Sequence, residues 1–303
     1  MHIYLPIAGQ SVNALFMILL GFGVGVLSGM FGIGGGFLTT PLLIFYGIPP
    51  TVAVASATTQ ITGASVSGAM VHMRRGGVDF KMAIVMTVGG FLGSVVGAAV
   101  FRMLQSTGQI DVVISFLYVL ILGWIGTIML KDALVALNIV AAKVTRKGVP
   151  RHNRWVASLP LRWRFYSSGL YLSPVAPLAI GFAAGVMTVL LGIGGGFIIV
   201  PAMIYLLGMP ARVVIGTSLA MVLSVSAATT MVHALTTRSV DIVLAGLLLI
   251  GGVIGAQYGA LLALRTKPDL LRLALALIIL LVGLRMLLGL AWRPDEIFSI
   301  EYL

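Results

Sequence analysis

The sequence predicts an all-α polytopic membrane protein made of two inverted repeats, each a glycine-broken helical hairpin followed by three transmembrane helices. Three observations carry this reading. Hydrophobic residues make up 59% of the chain and charged residues only 9%, against about 25% charged in soluble domains, and the mean hydropathy is +1.12. The apolar runs are continuous and rich in Leu, Ile, Val, Ala and Gly, whereas a membrane β-barrel shows alternating strands of about ten residues. The run Gly32-Ile33-Gly34-Gly35-Gly36-Phe37 recurs as Gly192-Ile193-Gly194-Gly195-Gly196-Phe197, each copy inside a long apolar stretch near the start of one half.

Met1 to Asn13 has no Lys or Arg and no small-residue cleavage site, so it does not read as a signal peptide. Ala14 to Gly47 follows. It is too long for one crossing, carries the first glycine cluster near its middle, and reads as helix, break, shorter helix. Thr51 to Met73, Met82 to Leu104 and Val112 to Leu130 are each long and apolar enough for the ~20 residues a crossing needs. The second half repeats the plan, with Pro174 to Gly208 broken by the second cluster, then Ala211 to Leu235, Ile242 to Leu264 and Leu270 to Leu290.

The halves align feature by feature. Pro41 matches Pro201, Pro49 matches Pro210, Ser56 matches Thr217, His72 matches His233 and Asp79 matches Asp241. The ladder Gly89, Gly93, Gly97 falls on Gly251, Gly255, Gly259. Matched features over so long a stretch indicate an internal repeat, and the ladders fit small-residue helix packing. The domain reading is an N-terminal repeat over 1–135, a basic cytoplasmic loop over 136–173 and a C-terminal repeat over 174–303. That loop holds Lys143, Arg146, Lys147, Arg151, Arg154, Arg162 and Arg164 with Trp155, Trp163 and Phe165 between them. It suits a cytoplasmic segment lying on anionic lipid with Trp at headgroup level, and a regulatory docking surface is the alternative.

A hairpin returns to the side it entered from, so three further spans make an odd number of crossings and invert the second half. A single kinked span in each half gives parallel repeats instead. Charge barely separates the two. The inverted arrangement leaves 15 of the 19 Lys and Arg inside, and the parallel one leaves 14. Length favours inversion, because one kinked helix over Ala14 to Gly47 would run about 50 Å against a hydrocarbon core of about 30 Å. Inversion also puts the acidic tail, Asp295, Glu296 and Glu301, outside.

Unwound backbone survives in lipid only where protein or a water-filled cavity satisfies it. Gly34, Gly35 and Gly36, and likewise Gly194, Gly195 and Gly196, sit where the second helix of each hairpin starts. There the N–H groups lack an i−4 carbonyl and the helix dipole is positive, which makes an anion site without a buried Lys or Arg. Secondary transporters place broken helices at matched points of two repeats in this way. The competing explanation is a packing notch at a helix crossing. The Asp and Glu residues lie in or near loops or the tail, whereas a cation path usually holds an intramembrane carboxylate. Side-chain candidates on the following spans are Thr58, Gln60, Thr217 and Ser218, with Thr59, Thr62 and Ser224 nearby; such hydroxyls also commonly bond back to their own helix. His72 and His233 are candidates for proton coupling or gating, or interfacial residues at helix ends.

The +11 net charge is explained by cytoplasmic loops rather than nucleic acid. The absence of cysteine excludes disulfides and thiolate chemistry. The glycine runs lack the last position of G-x-G-x-x-G, no P-loop occurs and no hydrolase or zincin motif is present, so neither an enzyme nor a cofactor is expected. A homodimer is compatible with the sequence.

Gly29-Met30-Phe31-Gly32-Ile33-Gly34-Gly35-Gly36-Phe37 with Pro41, the second copy with Pro201, Ala55-Ser56-Ala57-Thr58, Gly216-Thr217-Ser218-Leu219 and the two His together resemble the TauE/SafE (TSUP) family of membrane exporters. The resemblance runs from about residue 14 to 290. It implies outward transport of sulfite, sulfoacetate or related organosulfonate anions through the bacterial inner membrane. The rival readings are an uptake permease or channel for another small anion or a divalent metal, and a non-transporting membrane scaffold or sensor.

Overall fold

The computed structural model describes residues 2–31, 35–74, 76–136, 163–165, 167–263 and 268–291. Most of the basic loop, the acidic tail and Gly34 lie outside these residues. The described residues are mostly helical. The helices are α1 (Ala14–Phe31), α2 (Gly36–Phe45), α3 (Pro50–Arg74), α4 (Phe80–Ser106), α5 (Ile110–Ala136), α6 (Val175–Leu191), α7 (Gly196–Tyr205), α8 (Ala211–Val232), α9 (Ile242–Ala263) and α10 (Pro268–Ala291). A π-helical turn, His233–Thr237, extends α8.

Among the described residues five helices are long and apolar enough to cross a membrane. They correspond to five of the six full spans expected. The sixth, Thr51 to Met73, forms α3, which is 25 residues long but rich in Ser, Thr and Gly. Its neighbours replace lipid around much of it: Val54, Thr58, Ile61 and Ser65, on one stripe, are all buried. A helix that polar is stable at this depth because protein encloses it.

The broken segments fold as hairpins. Tyr46, just past α2, stacks on Phe16 at the start of α1 with ring centroids 5.2 Å apart, and its hydroxyl accepts from the Asn13 N–H. The second hairpin closes the same way, with Met203, Leu207 and Met209 packed in one cluster with Leu172 and Ala176. Helices in the two halves pair by exchange. α1 packs on α9 and α4 on α6, while α3 packs on α8 and α5 on α10.

Direction follows from the contacts. A Cβ on Gly21, Gly25 or Gly29 would strike the backbone of Leu248, Gly252 or Ala256, so α1 and α9 run parallel. The same close approach joins Gly89 and Gly93 to Leu178 and Phe182, so α4 and α6 also run parallel. The glycine ladders are therefore backbone-to-backbone helix contacts of the small-residue kind. In contrast, Thr59 meets Thr230 and Thr62 meets Ser226 across the α3–α8 seam, which makes those helices antiparallel. Gly126 against Ile279 and Leu280, with Gly283 against Leu122, makes α5 and α10 antiparallel too.

Each half opens with a small β-hairpin that the helix pattern does not reveal. β1 (His2–Leu5) pairs with β2 (Gln10–Asn13), and β3 (Trp163–Phe165) with β4 (Leu170–Leu172), both antiparallel. The turns close on left-handed Gly9 and Gly169, each at φ 67°. Asp79 and Asp241 fasten these hairpins to the bundle. Asp79 Oδ1 accepts from the Met82 N–H and caps α4, while Oδ2 accepts from the Ser168 N–H and hydroxyl at 3.0 and 2.6 Å. Asp241 Oδ1 accepts from the Val243 and Leu244 N–H groups and Oδ2 from the Ile7 N–H at 3.0 Å. Both carboxylates are buried. Arg74, Lys81, Lys131 and Arg164 gather at the Asp79 end, and Arg102, Arg238 and Arg285 at the Asp241 end.

Asp79→Ala removes three charge-assisted bonds and leaves the Met82 and Ser168 donors buried. It should cost about 3 kcal/mol, read as a lowered thermal unfolding midpoint of the detergent-solubilised protein. Asp79→Asn, which can still cap α4, should cost less.

Candidate functional site

The two glycine breaks meet at the centre of the bundle. α2 starts at Gly36 after Gly35, whose φ is 71°. α7 starts at Gly196 after Gly195, at φ 70°, with Gly194 at 72° and Gly192 at 66°. These left-handed positions are open to glycine and disfavoured for side chains. Gly35, Gly36 and Gly192 to Gly196 are all buried. Phe37 and Phe197, the second residues of the two helices, stack face to face with centroids 4.6 Å apart and planes 6° apart. A Cβ on Gly36 would lie 2.4 Å from the Gly192 carbonyl oxygen and 2.1 Å from Ile61 Cδ1. Close packing thus accounts for part of the glycine content, and Gly36 in particular has no room for a side chain.

The polar groups at the second break are unequally served. Two of the carbonyls that end α6 have side-chain donors: the Tyr118 hydroxyl donates to Leu191, and His233 Nε2 lies 3.1 Å from the Val189 oxygen. The N–H groups that begin α7 are different. Gly194, Gly195, Gly196 and Phe197 have no backbone or side-chain acceptor among the described residues. In a low-dielectric interior, unpaired N–H groups are costly. The helix dipole adds partial positive charge at the same point. Two capped carbonyls beside amides with no acceptor among the described residues make this break a candidate place for a negative guest. Pro41 and Pro201 sit inside α2 and α7 and cannot donate to Phe37 and Phe197.

The side-chain candidates divide. Gln60 Oε1 accepts from Thr39 Oγ1 at 2.8 Å, so Gln60 ties α3 to the first turns of α2. Thr58 donates to the Val54 carbonyl at 2.7 Å and Ser218 to that of Ile215 at 2.9 Å; both bond back into their own helices. Thr217 accepts the Asp79 N–H at 2.9 Å and belongs to the α4 anchor. The two matched histidines occupy unlike settings. His233 is fully buried at the π-helical turn, edge-on to Phe101 at 4.9 Å, and caps α6. His72 is half-buried in the last turn of α3, its Cβ against Gly216.

Sequence reasoning missed three neighbours of the breaks. Ile61 fills the space beside Gly36 and Gly194. Tyr118 reaches in from α5, and a lone Tyr on an apolar span gave no signal. Thr40 is fully buried with its hydroxyl beside that of Tyr118; the signal was the pair Thr39-Thr40 standing where the second copy has Ile199-Val200. No group of three His, Asp or Glu able to hold a metal occurs among the described residues.

The chain is similar to known membrane proteins. The family model described as "Sulfite exporter TauE/SafE" matches residues 17–286. The probable membrane transporter protein YjnA of Bacillus subtilis is 30% identical over 89% of this chain and 98% of its own length. The probable membrane transporter protein YunE of the same organism is 25% identical over 91% and 98%. The sulfite exporter TauE/SafE family protein 1 of Arabidopsis thaliana is 33% identical over 31% of this chain and 21% of its own. No solved structure matches.

Gly36→Ala should destabilise the protein by about 2 kcal/mol, since a backbone oxygen blocks the new methyl. Gly23→Ala, which meets nothing within 4 Å, should be neutral or slightly stabilising. Paired thermal unfolding curves check the contrast.

Proposed function

The chain belongs to the sulfite exporter TauE/SafE family, and on that premise we propose that it is a secondary transporter exporting sulfite or a small organosulfonate such as sulfoacetate across the bacterial inner membrane. That it is a multi-pass membrane transporter follows from the family and from its apolar helices. One observation supports the anion assignment: at the α6–α7 break the carbonyls of Val189 and Leu191 have donors, while the amides that begin α7 have no acceptor among the described residues. A cation would want the reverse. A sulfonate or sulfite group presents three oxygens to such a cluster. In this reading Gly34, Gly35, Gly36, Gly194, Gly195 and Gly196 line the site, and Gln60, Thr58, Thr217 and Ser218 shape the helices around it. His72 and His233 couple or gate proton movement.

The membrane orientation is part of the proposal. Antiparallel α3–α8 and α5–α10 pairs support two inverted repeats related by an axis in the membrane plane. The basic end, with Arg74, Lys81, Lys131 and Arg164, then faces the cytoplasm. A non-transporting scaffold gives no role to buried amides that have no acceptor among the described residues.

Two experiments test this. Proteoliposomes holding the protein should carry labelled sulfite or sulfoacetate. Gly195→Leu, which forces a side chain onto a left-handed residue beside Ala184 and Thr188, should reduce the flux at least tenfold; undiminished flux in that variant rules the site out. The cysteine-free chain also permits single-cysteine labelling. Pro6→Cys in the β1–β2 turn should react with an impermeant maleimide from outside intact cells, and Ser167→Cys in the β3–β4 turn only after permeabilisation. Equal labelling of both from outside would exclude inversion.

A further inference from the structure

Away from the glycine breaks, α3, α4 and α8 enclose a groove of about 440 Å³ that is open to the outside of the bundle. Helix α4 lines it with one stripe, Phe80, Ile84, Thr87 and Phe91, and Met73 of α3 and Ser224 of α8 stand across from that stripe. Phe80, Ile84, Phe91 and Met73 are exposed. At 1.5 Å per residue the stripe runs about 16 Å, roughly half of a ~30 Å hydrocarbon core. The groove therefore has the depth of one leaflet.

Its mouth is basic. Helix α3 ends and α4 begins there, with exposed Arg74 beside Met73 and exposed Lys81 beside Phe80. Lys81 Nζ donates to the Arg164 carbonyl at 3.3 Å and lies 5.3 Å from the centroid of the exposed Trp163 ring. The nearby carboxylate of Asp79 is buried, its oxygens engaged by Met82 and Ser168.

The second repeat does not reproduce this arrangement. In the register that matches Gly89 with Gly251, Thr87 corresponds to Leu249 and Lys81 to Val243. In the register that matches His72 with His233, Arg74 corresponds to Leu235, and Gly63 corresponds to Ser224. Leu249 lies directly on Gly63, its Cδ1 2.0 Å from where a Cβ would stand. A leucine laid on a glycine fills the space that Thr87 and Ser224 leave free, and aliphatic residues stand where the first repeat has its two cations.

We propose that an anionic phospholipid seats in this groove, with one acyl chain along the α4 stripe and its phosphate between Arg74 and Lys81. A chain held in a groove has packing partners on both sides, and packing is what drives association inside a bilayer. Basic residues at the membrane surface attract anionic headgroups, and Trp163 stands beside Lys81 as tryptophans do at headgroup level. A zwitterionic headgroup brings a cation of its own, which the same pair repels. A second copy of the chain fits less well, because a two-fold contact through this face would set each basic mouth against its own copy. The groove walls come from both repeats, so a seated chain touches both halves. The inference is independent of the transported substrate.

Thermal unfolding of the detergent-solubilised protein with added dioleoylphosphatidylglycerol or dioleoylphosphatidylcholine tests this. Phosphatidylglycerol should stabilise wild type at roughly fivefold lower concentration than phosphatidylcholine. Thr87→Leu combined with Ser224→Gly copies the filled arrangement. That variant should unfold at or above the wild-type temperature without lipid, and should need roughly tenfold more phosphatidylglycerol for the same shift. Arg74→Leu combined with Lys81→Val changes only exposed residues. It should keep the lipid-free midpoint and bring the two lipids within about twofold of each other. Equal stabilisation of wild type by both lipids overturns the proposal. So does an unchanged phosphatidylglycerol response in either variant. A wild-type dimer that the filled variant loses would make the occupant a second copy and overturn the lipid.

Discussion

A bilayer offers no water to an unpaired peptide group, so every N–H and C=O at its centre must find a partner within the protein. That constraint organises the molecule. Among the described residues five long apolar helices, and α3 by enclosure, satisfy it along their lengths. The two hairpins interrupt it deliberately. Each break creates orphan amides at the start of a short helix, and the rest of the fold can be read as what is needed to hold two such breaks together at one depth. The β-hairpins and their aspartates fasten the ends. The glycine ladders let α1 approach α9, and α4 approach α6, closely enough to grip the hairpins from both sides. The hydroxyl-rich seam of α3 and α8 fills the middle, where Thr59, Thr62, Ser226 and Thr230 bond across the halves.

The exchange pattern has a mechanical consequence. The first helix of each hairpin packs on the fourth helix of the other repeat, so neither half can shift as a rigid body without sliding a glycine-lined contact. Such contacts interlock little: where backbone meets backbone, few side chains interdigitate. The Asp79 and Asp241 anchors, in contrast, each join a loop of one half to a β-hairpin of the other and are rich in directional bonds. Movement that exposes the breaks to one face and then the other would be resisted chiefly at these two ends, one per face.

Much of this was legible in the sequence. Composition gave the class, and the doubled Gly-Ile-Gly-Gly-Gly gave the hairpins and their equivalence. Pairing of the glycine ladders with Gly21, Gly25 and Gly29 was not visible, because a contact between helices from different halves leaves no local signal. The short strands were hidden for another reason: β1 to β4 are three or four residues each, too short for an alternation to stand out beside apolar helices. Thr58, Thr217 and Ser218 looked like ligands because hydroxyls in lipid need partners. Two of them find that partner one turn back in their own helix and the third on the α4 anchor, and periodicity does not tell these cases apart. Thr40 was visible only as a departure from the repeat, a polar residue where its copy is aliphatic.

A transporter must release what it binds, and on the proposed anion reading this bears on why the breaks would use backbone rather than an arginine. A buried guanidinium would hold a sulfonate tightly, and when the site emptied it would leave an uncompensated charge in hydrocarbon, at a cost of about 3 kcal/mol or more. Open amides at a helix N-terminus attract an anion with fractional charge. They leave behind only neutral dipoles that a repacked Ile61 or a water molecule can cover. The bound and empty states then lie closer in free energy, and neither becomes a trap between the two faces. Among the described residues no Lys or Arg lines the breaks, and on the proposed reading that lack of full charge is what would let a bound anion go.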